Sequence, residues 1–419
     1  MIETLVVFFL SLAPLPSFIA WSTGATGISG FLAVHLGPVN ALKIAAPLFV
    51  FYFWKNRDRF DKRILSFLGL LLIVGTASTL YAGIRCGQPW LEMREWAVMV
   101  LGIICGGCFV TLPRKKALLV CSTWITILFL SVLMELLTPA TLKWLVSHFF
   151  DPARANLDQH GIMGFWDIGS LAKMSMMVVW IYGALLFRGE RRSGDRTKWT
   201  LLAALGLLSF LIILGTTQRG PLLGMAAGAI ALVVQEVRRT RAWKPVAVVG
   251  VLGVLAIGAG FAVIPHQILI PRIRTMLLLP DQSLYGKFST ASIDERFRIN
   301  RLNYATIRDY PMGNACISPE TYRQYEVTEN YHAHSLLLQQ FRAKGWIWGS
   351  LHLAFWLLAL FVAFRTKTVS GSLLFAGICS VFALGLVDHP WFVLNQATMI
   401  GTLLLSAFLL RSSPKSGPN

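Results

Sequence analysis

The sequence predicts an all-α polytopic membrane protein, with about twelve transmembrane helices and a mostly helical domain on one face. Three observations predict it. The chain is 55% hydrophobic with a mean hydropathy of +0.61. Only 14% of its residues are charged, against roughly 25% in soluble domains. Its apolar runs are of bilayer-spanning length, about 20 residues each, and basic residues concentrate in alternate connections between them. A soluble fold of 419 residues has no place to bury this much apolar surface.

Taken in order, runs broken by charge or turn residues predict spans near 2–20, 38–54, 64–83, 93–112, 117–137, 167–187, 199–216, 220–236, 243–264, 346–364, 371–387 and 391–410. The opening stretch MIETLVVFFLSLAPLPSF has no basic n-region, and Glu3 is its first charge. It reads as a retained span rather than a cleaved signal. Cys105 and Cys108 have CxxC spacing but lie in the apolar run WAVMVLGIICGGCFV, which makes them helix core. Cys86 and Cys316 both fall on the other, outer side. An oxidising compartment would allow them a disulfide, but nothing in the sequence brings them together.

Orientation follows from the basic residues. The connections 55–63, 113–116, 188–198, 237–244 and 365–367 and the tail from Arg411 hold 21 of the 38 Lys and Arg residues. With twelve spans, all six fall on one side. By the positive-inside rule that side is the cytoplasm, with both termini in it. The chain then divides into a nine-span bundle (1–264), an outer loop domain (265–345) and three further spans with a cytoplasmic tail (346–419). Residues 265–345 are too long for a passive connection. Their aromatic residues, among them Tyr285, Phe288, Phe297, Tyr304, Tyr310 and Tyr322, argue against disorder.

The remaining basic residues gather on the outer face, and this points to chemistry. Lys43, Arg85, Arg94, Lys143, Arg154, Lys173 and Arg219 lie near outer span ends, and eight more occupy the loop, including Arg296, Arg298, Arg301 and Arg308. A formal net charge of +18 placed there suits a polyanion at the membrane surface, and Arg binds phosphate through a bidentate fork. A long loop also crosses the membrane whatever its charge, but that does not account for the short outer loops. Arg219 opens a span in TTQRGP, where free helix N–H groups favour an anion. Gly220, Gly224 and Gly228 behind it form a small-residue stripe for close helix packing. In YHAHSLLLQQFRAKGW, His334, Leu337, Leu338 and Phe341 share a helical face. That amphipathic segment would hold His334 at headgroup depth before the next span. His332 and His334 have no fitting third ligand nearby for zinc, and no paired-acid cluster suggests Mg²⁺ or Mn²⁺. No cofactor is implied.

The outer pieces TTQRGPLLG, ERFRINRLNYATIRDYPMGNA and YHAHSLLLQQFRAKGWIWG, in this order, resemble the O-antigen ligase and polymerase superfamily of bacterial inner-membrane glycosyltransferases. An Arg-Gly pair opens a span, an RDxPxG-like turn runs from Arg308 to Gly313, and a His-Ser-x-x-Leu-like motif runs from His334 to Leu338. The resemblance covers residues 200–365 by motif and the rest by topology. It implies a ligase that moves O-antigen polysaccharide from undecaprenyl pyrophosphate to a lipid A-core sugar in lipopolysaccharide synthesis. The site would face the periplasm among membrane lipids, with no nucleic acid involved. Arg219 and His334 match the motif arginine and histidine. Arg296 is the best-placed loop arginine for catalysis, with Arg298 and Arg301 as rivals, because Asn300 stands where the family has an aromatic residue. Asp388 matches a late acid of the ligases, or N-caps the last span before Pro390. Arg154 and Arg85 complete the substrate-binding candidates. A polymerase, with a second lipid-linked glycan as acceptor, is the near alternative. A lipid flippase is the rival from another class, though transporters place ionisable groups near the midplane.

Overall fold

The computed structural model of the chain describes residues 1–15, 40–87, 89–145, 168–188, 195–216, 218–241, 250–251, 284–314, 316, 319–325, 335–388 and 393–412. Among these, regular structure is helical throughout. The helices are α1 (Ile2–Ser11), α2 (Ala41–Ile44), α3 (Ala46–Lys55), α4 (Lys62–Arg85), α5 (Pro89–Thr111), α6 (Arg114–Leu137), α7 (Pro139–Leu145), α8 (Ile168–Leu186), α9 (Arg196–Thr216), α10 (Arg219–Thr240), α11 (Leu284–Asp309), α12 (Pro319–Gln324), α13 (Leu336–Arg365), α14 (Val369–Val387) and α15 (Leu394–Ser412). Seven of them are long and apolar enough to cross a membrane, and Ile2–Ser11, Ser170–Leu186 and Leu394–Leu409 are shorter apolar helices. Of the span expected at 243–264, only Gly250 and Val251 are among the described residues.

The expected all-α membrane architecture is what the chain forms. The core is apolar and aromatic, with Trp124, Trp348, Trp356, Phe109 and Phe355 fully buried. Trp96 meets Trp348 edge-on at 4.9 Å, and Phe109 stacks on Trp124 at 5.0 Å. Cys105 and Cys108 are buried free thiols in α5, as their apolar run predicts. Large apolar side chains also cover the outside: Ile73, Ile84 and Ile230 are 69%, 70% and 66% exposed. Such a surface suits lipid, where the backbone is satisfied within each helix.

The basic connections gather at one end of the bundle. Arg59 donates to the carbonyl of Thr111, closing α5. The Arg114 Nε donates to the Leu185 carbonyl at 3.1 Å and its Nη2 to that of Leu186, closing α8. Arg238 donates to the Phe364 carbonyl at 3.1 Å, and Gln235 to the same oxygen at 2.7 Å, closing α13. Guanidinium groups thus cover helix C-termini, where carbonyls lack partners and the dipole favours a cation. Lys116 pairs with Glu3 at 2.9 Å, and Ser370 at the start of α14 donates to Ala184 of α8. Burial, then the Arg59 and Arg114 charges, lowers the pKa of Arg188 beside them.

α13 is two helices in one. Gly345 breaks it with φ 82° and ψ 177°, a backbone region almost closed to residues with a Cβ. The nine residues before the break form the amphipathic segment expected from sequence, and 346–365 the span. Its polarity is inverted relative to a surface helix. Gln339, Gln340, Arg342 and Lys344 are buried, while Leu337, Leu338 and Phe341 are only partly so. In lipid the apolar face turns outward and the polar one inward.

Candidate functional site

At the end of the bundle away from the basic collar, three chain segments converge on Asp388. α10 begins there. Its N-cap, Gln218, is extended and contributes no side-chain cap, so the first N–H groups of the helix keep their affinity for an anion. A Cβ on Gly220 would lie 3.0 Å from Leu384, 3.6 Å from Val387 and 3.7 Å from the Asp388 Cβ. Further along, a Cβ on Gly224 would meet Met176 Sδ at 2.6 Å and the Ser380 carbonyl at 2.7 Å. Gly228 lies against Ser380 and Trp180. The stripe beneath Arg219 therefore packs on α14 and α8, as a small-residue face allows.

The second segment is the start of α13. Ser335 is its N-cap, and the Ser335 Oγ accepts from the Leu338 N–H at 3.5 Å and donates to the Gly385 carbonyl at 3.4 Å. The Leu336 N–H donates to the Asp388 carbonyl at 3.0 Å. The cap is thus the serine that follows His334 in the motif; His334 and His332 lie outside the described residues. The third segment is α8, whose Lys173 pairs with the Asp388 carboxylate at 2.8 Å, the two side chains 12% and 24% exposed. Asp388 ends α14 with extended backbone, φ −153° and ψ 172°. Since α15 begins at Leu394, Asp388 is not the N-cap of the last span.

A second cluster is built on the RDxPxG-like turn. Arg308 and Asp309 pair at 2.8 Å on the surface, and that hydrogen bond holds the Asp309 carboxyl below its ordinary range. The turn then docks on the break in α13. The Trp346 N–H donates to the Pro311 carbonyl at 2.8 Å, and the Asn314 N–H to the Arg342 carbonyl at 2.7 Å. Gly313, at φ 97°, approaches the Gly345 nitrogen so closely that a Cβ would sit 2.6 Å from it. Cys86, following α4, forms a disulfide with Cys316 just beyond the turn, Cα to Cα 5.5 Å. The bond that the sequence left open is therefore made. Beside it Arg85 lies over the Tyr310 ring, 4.7 Å from its centre. Leu336 and Lys344 are eight residues apart, so the two clusters stand about 12 Å apart along one helix at 1.5 Å per residue.

The sequence candidates divide accordingly. Asp388 and the helix start carrying Arg219 belong to the first cluster, and Arg85 to the second. Arg298 and Arg301 are on the exposed face of α11, whose Ile299, Leu302, Asn303 and Thr306 are buried. Arg296 lies on the same helix, one turn before Asn300. Arg154 lies outside the described residues. Among the described residues no group of three or more His, Cys, Asp or Glu comes together. Sequence reasoning did not single out Lys173, Arg342 or Lys344 from the other outer cations. The available signal for Lys173 was a lone charge inside the apolar run IGSLAKMSMMVVW. Buried Lys344 lies 4.8 Å from the Trp96 ring centre.

Comparison with known proteins adds a family. Residues 203–350 match the family described as O-antigen ligase. The matched stretch runs from α9 past the break in α13, so it contains the Arg219 helix start, the docked turn and the His334–Leu338 motif. Lys173 and Asp388 lie beyond its ends. No curated protein matches the chain.

Proposed function

We propose, from the match of residues 203–350 to the family described as O-antigen ligase, that the chain is an O-antigen ligase. It transfers polysaccharide from undecaprenyl pyrophosphate to a sugar of the lipid A core, at the periplasmic face of the inner membrane. The observation that carries this reading is the meeting of the Arg219 helix start, Asp388 and the segment opening at Ser335. The start of α10 faces the Asp388 Cβ, and Leu336, two residues after His334, donates its N–H to the Asp388 backbone carbonyl.

In this reading the acceptor hydroxyl gives its proton to the His334 imidazole, whose ordinary pKa of about 6.5 suits neutral pH. The oxygen attacks the anomeric carbon, and the bond from that carbon to the pyrophosphate oxygen breaks. The undecaprenyl pyrophosphate leaves with its bonding electrons. Arg219, the α10 N–H groups and one of Arg296, Arg298 or Arg301 offset the growing negative charge, as preorganised donors do. Arg85 and Arg154 would then meet the anionic substrates further out. The strongly basic outer face favours a phosphorylated acceptor, which is why the ligase stands ahead of the polymerase.

The test is purified protein with lipid-linked O-antigen and lipid A-core, with strong chelation in a parallel arm. Glycan on the lipid A-core in both arms is the expected result. Lengthened lipid-linked glycan with a bare core would make the chain a polymerase. Activity lost to chelation and restored by Zn²⁺ would bring the His332–His334 pair back as ligands.

A further inference from the structure

Lys173 needs a reason to be where it is. It is the one charge in α8, Ile168–Leu186, among buried Leu171, Ala172, Met174 and Met176. A cation placed in an apolar bundle is costly unless it is paired, and Lys173 is only 12% exposed. Its partner, Asp388, is a junction residue. The carboxylate takes Lys173 at 2.8 Å, the carbonyl takes the Leu336 N–H at 3.0 Å, and the Cβ faces Gly220. Rotation of Asp388 would therefore disturb the first residue of α13 and the start of α10 together.

We infer that Lys173 is a positioning residue of the site: by pairing with Asp388 it fixes the start of α10 against the segment that opens α13 at Ser335. This rests on the proposed transferase reading for its effect on turnover, but the junction itself does not. Lys173 acts through Asp388, so its loss should be felt only while Asp388 is charged. That separates it from a lysine that binds substrate directly.

The experiment is a cycle of Lys173→Met, Asp388→Asn and the double variant in nanodiscs, with Lys173→Arg as the conservative control. Two readouts are taken, glycan transfer and hydrogen exchange of the peptide covering 335–341. Lys173→Met should lower kcat about tenfold, within the usual range of coupling between contacting groups, with a smaller change in KM for the donor. The 335–341 peptide should exchange faster. The double variant should be no slower than Asp388→Asn, and Lys173→Arg should keep most of the activity. Losses that multiply in the double variant, or unchanged exchange in Lys173→Met, would overturn the inference. If the wild-type chain transfers no glycan, the proposed function fails, and the exchange readout still decides whether Lys173 holds the junction.

Discussion

At the residue scale the candidate site depends on Asp388 using its two polar ends in different directions. The Asp388 side chain answers Lys173 and its backbone answers Leu336. Sequence reasoning named Asp388 and Arg219 as candidates but not what joins them, because α8, α10 and α14 are distant in sequence and only packing makes them neighbours. The glycine stripe was legible as a packing face, and Gly224 and Gly228 do pack on α14 and α8. The role proposed for His334 rests on its motif, and of that motif the described residues begin at Ser335, the α13 cap. A His334→Ala change should leave donor affinity unchanged and lower turnover by about 10²–10⁴-fold, the scale of a lost acid–base group. Arg219→Ala should weaken donor binding and turnover together, and Arg219→Lys should recover part, since an ammonium keeps the charge without the fork. Single-turnover transfer with separate donor-binding measurements checks this, with His332→Ala as control. A His334→Ala protein with more than about a tenth of wild-type turnover is too active to have lost its base.

At the element scale the informative piece is α13. Its amphipathic start and following span were both legible from apolar periodicity. The span was expected from 346, beside the break, but the left-handed backbone at Gly345 was not legible, because FRAKGWIWG does not show that a distant turn docks on it. Its positive φ is required by the turn 310–314, whose backbone occupies the space a side chain would need: a Cβ on Gly345 would lie 2.5 Å from the Met312 carbonyl carbon. The inverted polarity was also illegible, since a helical wheel shows two faces but not which one meets lipid. Gly345→Ala should therefore destabilise the protein by about 1–3 kcal/mol from backbone strain alone, with the steric clash added. Gly206→Ala, where a Cβ meets nothing within 4 Å, is the matched control and should be neutral or slightly stabilising in a helix interior. Thermal unfolding in detergent, followed by size-exclusion fluorescence, compares the two. Equal melting curves would show that the break carries no strain.

At the scale of the whole molecule the two ends of the bundle use their charges differently. At one end arginines of the basic connections cover the C-termini of α5, α8 and α13. The pattern from which the orientation is expected is therefore also helix capping. The agreement of six connections was readable because topology signals are local in sequence. At the other end cations meet an acid, an aromatic ring or a helix start, and a disulfide joins Cys86 to Cys316. That bond was unreadable, since its partners are brought together by the docked turn rather than by spacing. It also bears on orientation, because structural disulfides persist in oxidising compartments and rarely in a reducing cytosol. Basic collar and disulfide thus point the same way by unrelated physics. In intact cells, a cysteine introduced at Gln218 should react with a membrane-impermeant maleimide, and one at Lys367 should react only after lysis. Native Cys316 should stay unreactive until reductant is added or Cys86→Ser frees it, and should then label from outside. Labelling of Gln218→Cys only after lysis would reverse the orientation, moving the site to the cytoplasm, where a periplasmic ligase has no substrate.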